Sequence, residues 1–502
     1  MIGLAIYALC LAGLGLLLPR AWWDPASPEF ILILGGIGAW RYGWGLLHLA
    51  RSLIYRKLVY PRWRRRADAL GEAAMPSHVF LLVTSFRIDG ETTRKVYQAA
   101  IEEAVRCGVR ATVIASIVEM ADQRLIKRLF QGIVARMGAA GRVDLSFVRI
   151  GGTGKRDALA YGFRAVSLHR PPHDAAVCVI DGDSILEPGL LRKSLPYFRL
   201  FPDVGAFTTD ETCEVVGRPL FREWYNMRFA QRHILMSSMG LSGRVLTLTG
   251  RMSAFRAEIA TDPEFIRTVE VDYIDHWRLG RFKFLTGDDK SSWYFVLKRG
   301  LRMIYVPDAK VVTVEYPPSS RFWAGATMLM IRWFGNMLRT NSRAIALGPR
   351  RIGWFTWWCI VDQRLSMWTS LSGPTAVLLI WISTGSNLIF LYVYWVALTR
   401  FVQTLTLLTA RDRVSWTYPF LLYFNQVYGS LVKTYVFFRL DRQKWTRQKT
   451  TIERGLDRWS ARLQHATSAY VHVLGCAAFV VGLGLYLRAI HMPNVKYLTL
   501  LQ

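Results

Sequence analysis

The sequence has few of the residues that build disulfide frameworks or zinc sites. Six of its 502 residues are cysteines, and no two of them form a CxxC pair. Cys10 and Cys476 moreover lie within long apolar runs. We therefore expect neither a zinc site nor a set of structural disulfides in this chain.

Acidic residues are scarce as well. Asp and Glu number 36 against 64 Lys and Arg, which gives a formal net charge of +28 at pH 7. Such an excess suits anionic lipid, nucleic acid or an anionic substrate, but the chain shows no recognised nucleic-acid-binding module. Because the mean hydropathy is nevertheless positive, at +0.19, the composition predicts apolar membrane spans flanking a charged domain.

Two long apolar runs near the N-terminus predict a transmembrane hairpin over residues 1–55. They cover residues 2–18 and 30–49, and each is close to the length that crosses a bilayer. A cleaved signal peptide is the alternative for the first run, but a basic n-region is missing and a second run follows closely. Residues 51–66 contain seven Lys or Arg and no acid, so the positive-inside rule places the following domain in the cytoplasm.

Further spans are predicted at residues 367–390, 391–408 and 469–487. The run 416–438 is long enough to cross, but crossing would put the basic stretch 439–462 outside, so we interpret it as interfacial or re-entrant. The predicted organisation is interfacial helices at 317–365, transmembrane helices at 366–410, an interfacial or re-entrant segment with a cytoplasmic loop at 411–465, and a last transmembrane helix at 466–490.

Arg41 and Arg400 fall inside predicted spans that contain no Asp or Glu. Charges within a membrane normally face a cavity and mark a pathway. We therefore hypothesise that these two arginines line a channel for a polyanion. Snorkelling towards the interface, or binding to carbonyl groups, is the structural alternative.

Residues 76–316 are predicted to form an α/β domain with a doubly wound parallel sheet, because short β-rich runs alternate with helical stretches. Ligands bind beyond the carboxyl ends of the strands in such sheets. Strands are expected at 78–85, 109–118, 143–150 and 175–180, and helices at 91–107, 122–137 and 154–168, with Thr92 or Thr93 and Asp122 near helix starts.

Two carboxylates, Asp181 and Asp183, follow the fourth predicted strand. At alternate positions they can converge on one cation, and magnesium is usually held by one or two carboxylates together with substrate phosphates. A solvated turn is the alternative. The glycine-rich turn 151–157 supports a site, because it carries Lys155 and Arg156 into a helix as a diphosphate requires. It is not a P-loop, since the spacing of that motif is absent.

A second acidic pair, Asp288 and Asp289, precedes a predicted helix at 291–299. One of these carboxylates could deprotonate an attacking hydroxyl as a general base. Plain N-capping of the helix is the alternative.

These blocks, in this order, resemble the motifs of family 2 processive glycosyltransferases, the group that contains the cellulose, chitin, hyaluronan and alginate synthases. DGDS at 181–184 matches their DxD motif, GKRDA at 154–158 looks like their donor-site motif, and TGDD at 286–289 stands in the place of their base motif. Arg332-Trp333 resembles the end of QxxRW, and Trp445-Thr446-Arg447 resembles the loop that covers the nucleotide. The stretches TGDDKSSW, RWFGNMLRTN and LTGRMSAFR look most like the catalytic subunit of bacterial alginate synthase, which polymerises mannuronate from GDP-mannuronate.

The resemblance implies a GT-A-type domain inserted between transmembrane helices. Asp181 and Asp183 would hold Mg2+ or Mn2+, and Asp289 would be the general base. The residues that would bind the nucleotide sugar are Glu119, Lys155, Arg156, Asp181, Arg332, Trp333, Trp445, Thr446 and Arg447. Those placed near the acceptor or channel are Gly250, Arg251, Asp288 and Trp333, together with Arg41 and Arg400.

The sequence also departs from the family pattern. Leu329 stands where QxxRW has its glutamine, and the sequence Ile-Val-Glu-Met at 117–120 replaces the usual DDG. Recognition of the base is therefore expected to differ from that of the uridine-specific members.

By resemblance, we expect a protein of the bacterial inner membrane that works with a separate subunit sensing cyclic-di-GMP. Two kinds of alternative stay open. The first is another family 2 enzyme that uses a UDP-sugar or builds a lipid-linked sugar. The second is a basic membrane scaffold, or a nucleic-acid-binding protein, with a degenerate transferase domain.

Overall fold

A computed structural model of the chain describes residues 2–24, 36–443 and 458–490. The chain divides into two compact units. The α/β unit comprises residues 48–361 and 441–454, and the helical unit comprises residues 1–47, 362–440 and 455–502.

The α/β unit is built on an eight-stranded sheet with the order β3-β2-β1-β4-β7-β6-β10-β5. The strands are β1 (His78–Thr84), β2 (Arg110–Ile117), β3 (Val143–Arg149), β4 (Ala176–Asp181), β5 (Ser184–Leu186), β6 (Val204–Val215), β7 (Met252–Arg256), β8 (Tyr273–His276), β9 (Gly280–Lys283) and β10 (Arg302–Glu315). β8 and β9 form a separate antiparallel hairpin.

The α-helices lie before, between and after these strands. The N-terminal helices are Ile2–Leu17, Gly36–Ile54 and Tyr60–Leu70. Those among the strands are Gly90–Arg106, Met120–Arg136, Lys155–Leu168, Leu190–Ser194, Pro196–Leu200, Pro219–Gly240, Ala257–Ala260, Pro263–Glu270 and Asp288–Lys298. Those after β10 are Phe322–Ala346, Pro349–Ile352, Trp354–Thr384, Leu388–Thr406, Tyr418–Phe437 and Arg458–Tyr486.

The four predicted strands are confirmed to within one residue at each end. Their apolar runs are long because strands at the centre of a parallel sheet are covered on both faces, and every residue of β1 is buried. The predicted α/β class is confirmed, but the sheet is mixed instead of parallel throughout. β7 runs antiparallel to both of its neighbours, β4 and β6.

The first two helices among the strands begin one or two residues before the predicted starts, and Thr92, Thr93 and Asp122 lie in their first turns as expected. Gly90–Arg106 is capped by Asp89, whose carboxylate accepts the Thr92 N–H at 2.9 Å. The next helix begins at Met120 and has Glu119 at its N-cap position. The helix predicted at 291–299 begins three residues earlier, at Asp288.

The described residues contain three helices that are long and apolar enough to cross a membrane: Trp354–Thr384, Leu388–Thr409 and Trp459–Tyr486. They correspond to the three predicted C-terminal spans, although the first begins at Trp354 instead of residue 367. Ile2–Leu17 is apolar but shorter, and part of the predicted span 30–49 lies outside the described residues. The segment 416–438 contains the helix Tyr418–Phe437, and its interfacial or re-entrant character stays a prediction.

Arg41 has an acidic partner, which corrects the expectation that neither arginine of the spans would have one. Its guanidinium lies 2.9 Å from the Asp362 carboxylate. Asp362 was missed because the span was expected to begin at residue 367, whereas the helix extends back to Trp354. Arg400 donates to two neutral side chains, those of Gln403 at 2.9 Å and of Gln426.

Candidate active site

A cavity of about 900 Å³ opens where β1 and β4 end. Thr84 and Asp181, the last residues of these parallel strands, both line it, as expected for a ligand site of an α/β sheet. The predicted site residues that line this cavity are Lys155, Arg156, Asp181, Asp183, Gly250, Arg251, Asp288, Asp289, Arg332 and Trp333.

Lys155 connects the two acidic motifs. Its ammonium lies 2.6 Å from the Asp181 carboxylate and 3.2 Å from that of Asp288. Burial disfavours the charged ammonium, but the two carboxylates outweigh this effect and raise the pKa of Lys155 above its usual range. Lys155 therefore remains a cation that can pair with a diphosphate or with these carboxylates.

Asp288 and Asp289 are adjacent but electrostatically different. Burial disfavours the Asp288 carboxylate, but Lys155 and Arg156 outweigh it and lower the pKa of Asp288. Burial, and then the negative charge of Asp288, raises the pKa of Asp289. A carboxylate with a raised pKa is a stronger base, so the pair separates into an ionised partner of Lys155 and a candidate proton acceptor.

The geometry argues against the N-capping alternative for this pair. The N-cap residue of Asp288–Lys298 is Gly287, and no side chain caps that helix end. Gly287 has φ = +90°, a conformation that residues with a Cβ rarely adopt. A Cβ at this position would also lie 3.0 Å from Cγ of Asn336. The glycine thus lets the chain turn so that both carboxylates enter the cavity.

Asp181 and Asp183 flank a tight turn between β4 and β5. The turn is fixed by backbone hydrogen bonds from Gly182 N to Thr84 O and from Val314 N to Asp183 O, both 2.8 Å. Among the described residues, no group of three or more His, Cys, Asp or Glu side chains is placed to hold a metal ion. Two carboxylates still suit a magnesium or manganese ion that is completed by donor phosphates and water.

Gly250 makes room for this arrangement. An added Cβ would lie 2.6 Å from Nζ of Lys155 and 3.0 Å from Oδ2 of Asp181. Any side chain at residue 250 therefore displaces the Lys155–Asp181 pair.

Arg251 is engaged by two glutamates. It pairs with Glu211 at 3.3 Å and Glu315 at 2.6 Å. These carboxylates outweigh the effect of burial and raise the pKa of Arg251, with a smaller contribution from Asp183. Arg251 thus places a fixed positive charge near the DxD carboxylates.

Arg156 is buried and donates to groups of the protein. Its hydrogen bonds reach the backbone oxygens of Val269 at 2.7 Å and Thr286 at 3.2 Å, and Oγ of Ser291 at 3.0 Å. Ser291 in turn donates to Asp272 at 2.6 Å, and Asp272 accepts two hydrogen bonds from Arg343. The guanidinium therefore braces the start of the TGDD segment and the first turn of the helix Asp288–Lys298. Its predicted role with the donor stays a prediction.

Trp333 belongs to an aromatic cluster beside the cavity. Its ring lies 5.5 Å from that of Trp224 and 6.0 Å from that of Tyr225, and the Arg228 guanidinium is 4.3 Å from its centroid. Trp224 and Tyr225 are buried, whereas Trp333 lines the cavity, so Trp333 is the ring of this cluster that can contact a bound sugar. Leu329, at the family's glutamine position, is buried and also lines the cavity.

The structure does not bring every predicted residue to this cavity. Glu119 is exposed and is not among the lining residues. Arg41 and Arg400 belong to the helical unit. Trp445, Thr446 and Arg447 lie outside the described residues.

Sequence reasoning missed Asn336, Arg339 and Gln443, which also line the cavity. Asn336 accepts a hydrogen bond from Thr286 Oγ1 at 2.7 Å and one from Arg339 at 2.6 Å. Burial, and then the charge of Arg156, lowers the pKa of Arg339 to about 9. Asn336 lies one helical turn after Arg332 and Trp333, so helical periodicity starting from that motif could have found it.

Comparisons with known proteins identify the family of the chain. Residues 76–336 match the model of the glycosyltransferase like family 2. Glycosyltransferase alg8 of Pseudomonas syringae pv. tomato is 49% identical over 478 residues, which cover 94% of this chain and 96% of the relative. Glycosyltransferase alg8 of Azotobacter vinelandii is 50% identical over 466 residues, with coverage of 91% and 94%.

Among solved structures, the mannosyltransferase PcManGT from Pyrobaculum calidifontis in complex with GDP-Man and Mn2+ aligns with a TM-score of 0.43 and 17% identity. The alignment covers 77% of this chain and 97% of that one. The assignment depends on the family model and on the two bacterial relatives, which span nearly the whole chain. The chain therefore belongs to the family 2-like glycosyltransferases, and it is a glycosyltransferase.

Proposed function

We propose that this glycosyltransferase polymerises mannuronate from GDP-mannuronate into β-linked mannuronan, the precursor of alginate. The main support is the identity of about half of all residues to the alg8 glycosyltransferases over nearly the full length of both chains. The cavity supports the same proposal, because it gathers the DxD carboxylates, Lys155 and the TGDD pair in one place.

The leaving group is a nucleoside diphosphate, and its negative charge grows as the bond to the anomeric carbon breaks. Lys155 lies between Asp181 and Asp288, where it can stabilise that charge. A divalent ion held by Asp181 and Asp183 would supply further charge stabilisation on the same oxygens.

The acceptor hydroxyl attacks the anomeric carbon from the face opposite the leaving group. Asp289 accepts its proton as the new carbon–oxygen bond forms, and the α-linked donor thereby gives a β-linked product. General-base assistance of this kind contributes on the order of 10²- to 10⁴-fold to the rate. Trp333, which lines the cavity, would orient the acceptor sugar.

For location, we propose the bacterial inner membrane, with the α/β unit in the cytoplasm and the product passing through the chain's own transmembrane helices. The three apolar helices support a membrane protein. Arg41 and Arg400 remain the candidate channel residues, although the pairing of Arg41 with Asp362 leaves Arg400 as the better one. We also propose a separate partner subunit that senses cyclic-di-GMP.

The test is incorporation of radiolabel from GDP-mannuronate by membranes that contain the chain and its partner subunit. UDP-sugars are run in parallel, and Asp289→Asn is compared with wild type. Large acidic product from the guanosine donor that disappears in the variant supports both substrate and base. Product from a UDP-sugar alone retains the mechanism and refutes the mannuronate assignment.

A further inference from the structure

Residues 283–287 form a short turn that leads from β9 into the TGDD carboxylates, and side chains from three distant parts of the chain hold it. Thr286 Oγ1 donates to Asn336 at 2.7 Å, and Thr286 O accepts from Arg156 at 3.2 Å. The third contact comes from Gln443, which is 154 residues beyond Asp289 in the sequence.

Gln443 binds this turn through both ends of its side-chain amide. Leu285 N–H donates to Oε1 of Gln443 at 2.9 Å, and Nε2 of Gln443 donates to the Lys283 carbonyl oxygen at 2.9 Å. An amide that pairs with the N–H of one residue and the C=O of a residue two positions earlier reproduces the hydrogen bonds of a neighbouring β-strand. One side chain therefore holds both the carbonyl group of Lys283 and the N–H group of Leu285.

We propose that Gln443 is a positioning residue for the general base. The segment it holds ends two residues before Gly287, and the left-handed conformation of Gly287 sets where the helix Asp288–Lys298 begins. A shift of residues 283–285 therefore moves the start of that helix, and with it the Asp289 carboxylate. Gln443 acts through this turn and is not required to touch substrate.

The position of Gln443 gives the contact a further role. It immediately precedes residues 444–457, the segment that carries Trp445-Thr446-Arg447. The hydrogen bonds to Lys283 and Leu285 thus join the C-terminal part of the α/β unit to the base motif. The inference rests on the proposed role of Asp289 as the base.

The experiment is a double-mutant cycle in the full-length chain, with sugar incorporation measured at saturating donor. Because a misplacement of about 1 Å can cost roughly 10²-fold in rate, Gln443→Ala is expected to lower kcat by roughly 10- to 100-fold and to leave the donor KM within about twofold. Gln443→Glu keeps the shape and the acceptor for Leu285 but loses the donor to Lys283, and it is expected to be similarly impaired. Gln131→Ala, which truncates an exposed glutamine of the helix Met120–Arg136, is the matched control.

The cycle separates positioning from general stability. In an Asp289→Asn background the base is already absent, so Gln443→Ala is expected to cause no further loss. An equal loss in both backgrounds overturns the proposal, as does full activity of Gln443→Glu. GDP binding and thermal unfolding are measured for each variant, and loss of either in Gln443→Glu also overturns it. If Asp289→Asn itself retains full activity, the proposed base fails instead.

Discussion

Substitution of Gly250 tests the geometry around Lys155 most directly. In Gly250→Ala the new methyl group would lie 2.6 Å from Nζ of Lys155, whereas ordinary contacts begin at 3.4 Å. The ammonium must therefore withdraw by about 0.8 Å, the difference between these two distances. The Asp181 carboxylate, 3.0 Å from the added atom, must also shift. Because a misplacement of about 1 Å can cost 10²-fold, we expect kcat/KM for the donor to fall by roughly that factor.

The assay is sugar incorporation over a range of donor and Mg2+ concentrations. Thermal unfolding should change little, because the crowded atoms are the ends of side chains. Gly132→Ala is the control, since a Cβ at this helical position meets no atom within 4 Å. If Gly250→Ala keeps wild-type kcat/KM, the Lys155–Asp181 arrangement is not required for transfer and the reasoning is wrong.

Three further predictions concern the TGDD pair, the buried ion pair of Asp272 and the helical unit. A general base acts when it is deprotonated. Burial, and then the negative charge of Asp288, raises the pKa of Asp289, so Asp288→Asn should move the acidic limb of the kcat–pH profile to lower pH. A limb at the same pH would contradict this. Arg343→Ala leaves the buried Asp272 carboxylate without its ion pair and should lower the free energy of unfolding by about 3 kcal/mol. Arg281→Ala, which removes an exposed ion pair with Asp275 at 3.8 Å, should lower the free energy of unfolding by less than about 0.5 kcal/mol. Equal losses in the two variants would contradict the expected effect of burial. Arg400→Gln should reduce the lyase-protected polymer formed in inverted membrane vesicles, whereas Arg400→Lys should not, and normal export by the glutamine variant would exclude a channel role.

The first four strands of the α/β unit could be predicted closely because the pattern that marks each strand lies within its own residues. Buried parallel strands appear as apolar runs that polar turns interrupt, and β1, β2, β3 and β4 follow that pattern. The antiparallel direction of β7 could not be predicted, because its five residues pair with β4 and β6 through contacts distant in sequence. Strand direction depends on those pairings and not on composition.

The candidate site likewise contains residues that short motifs mark and residues whose role depends on contacts distant in sequence. Lys155, Asp181, Asp183 and Asp289 carry recognisable chemistry within short motifs, and the structure places all of them around one cavity. Gln443 belongs to no recognisable motif, and its hydrogen bonds to residues 283 and 285 are visible only in the structure. The partner of Arg41 was missed for a different reason, because Asp362 precedes the apolar part of a helix whose start the hydropathy does not mark.

The reversed direction of β7 also determines which sequence changes the site will tolerate. Its register pairs Met252 with Ile180 and Arg256 with Ala176, so the chain enters the sheet at the catalytic edge and leaves it at the opposite one. Insertions before Met252 therefore alter the spacing around Asp181, whereas insertions after Arg256 fall at the start of the helix Ala257–Ala260 on the far side. Related enzymes that differ in acceptor or donor should accordingly vary in length within residues 241–251 and stay constant across β7 itself.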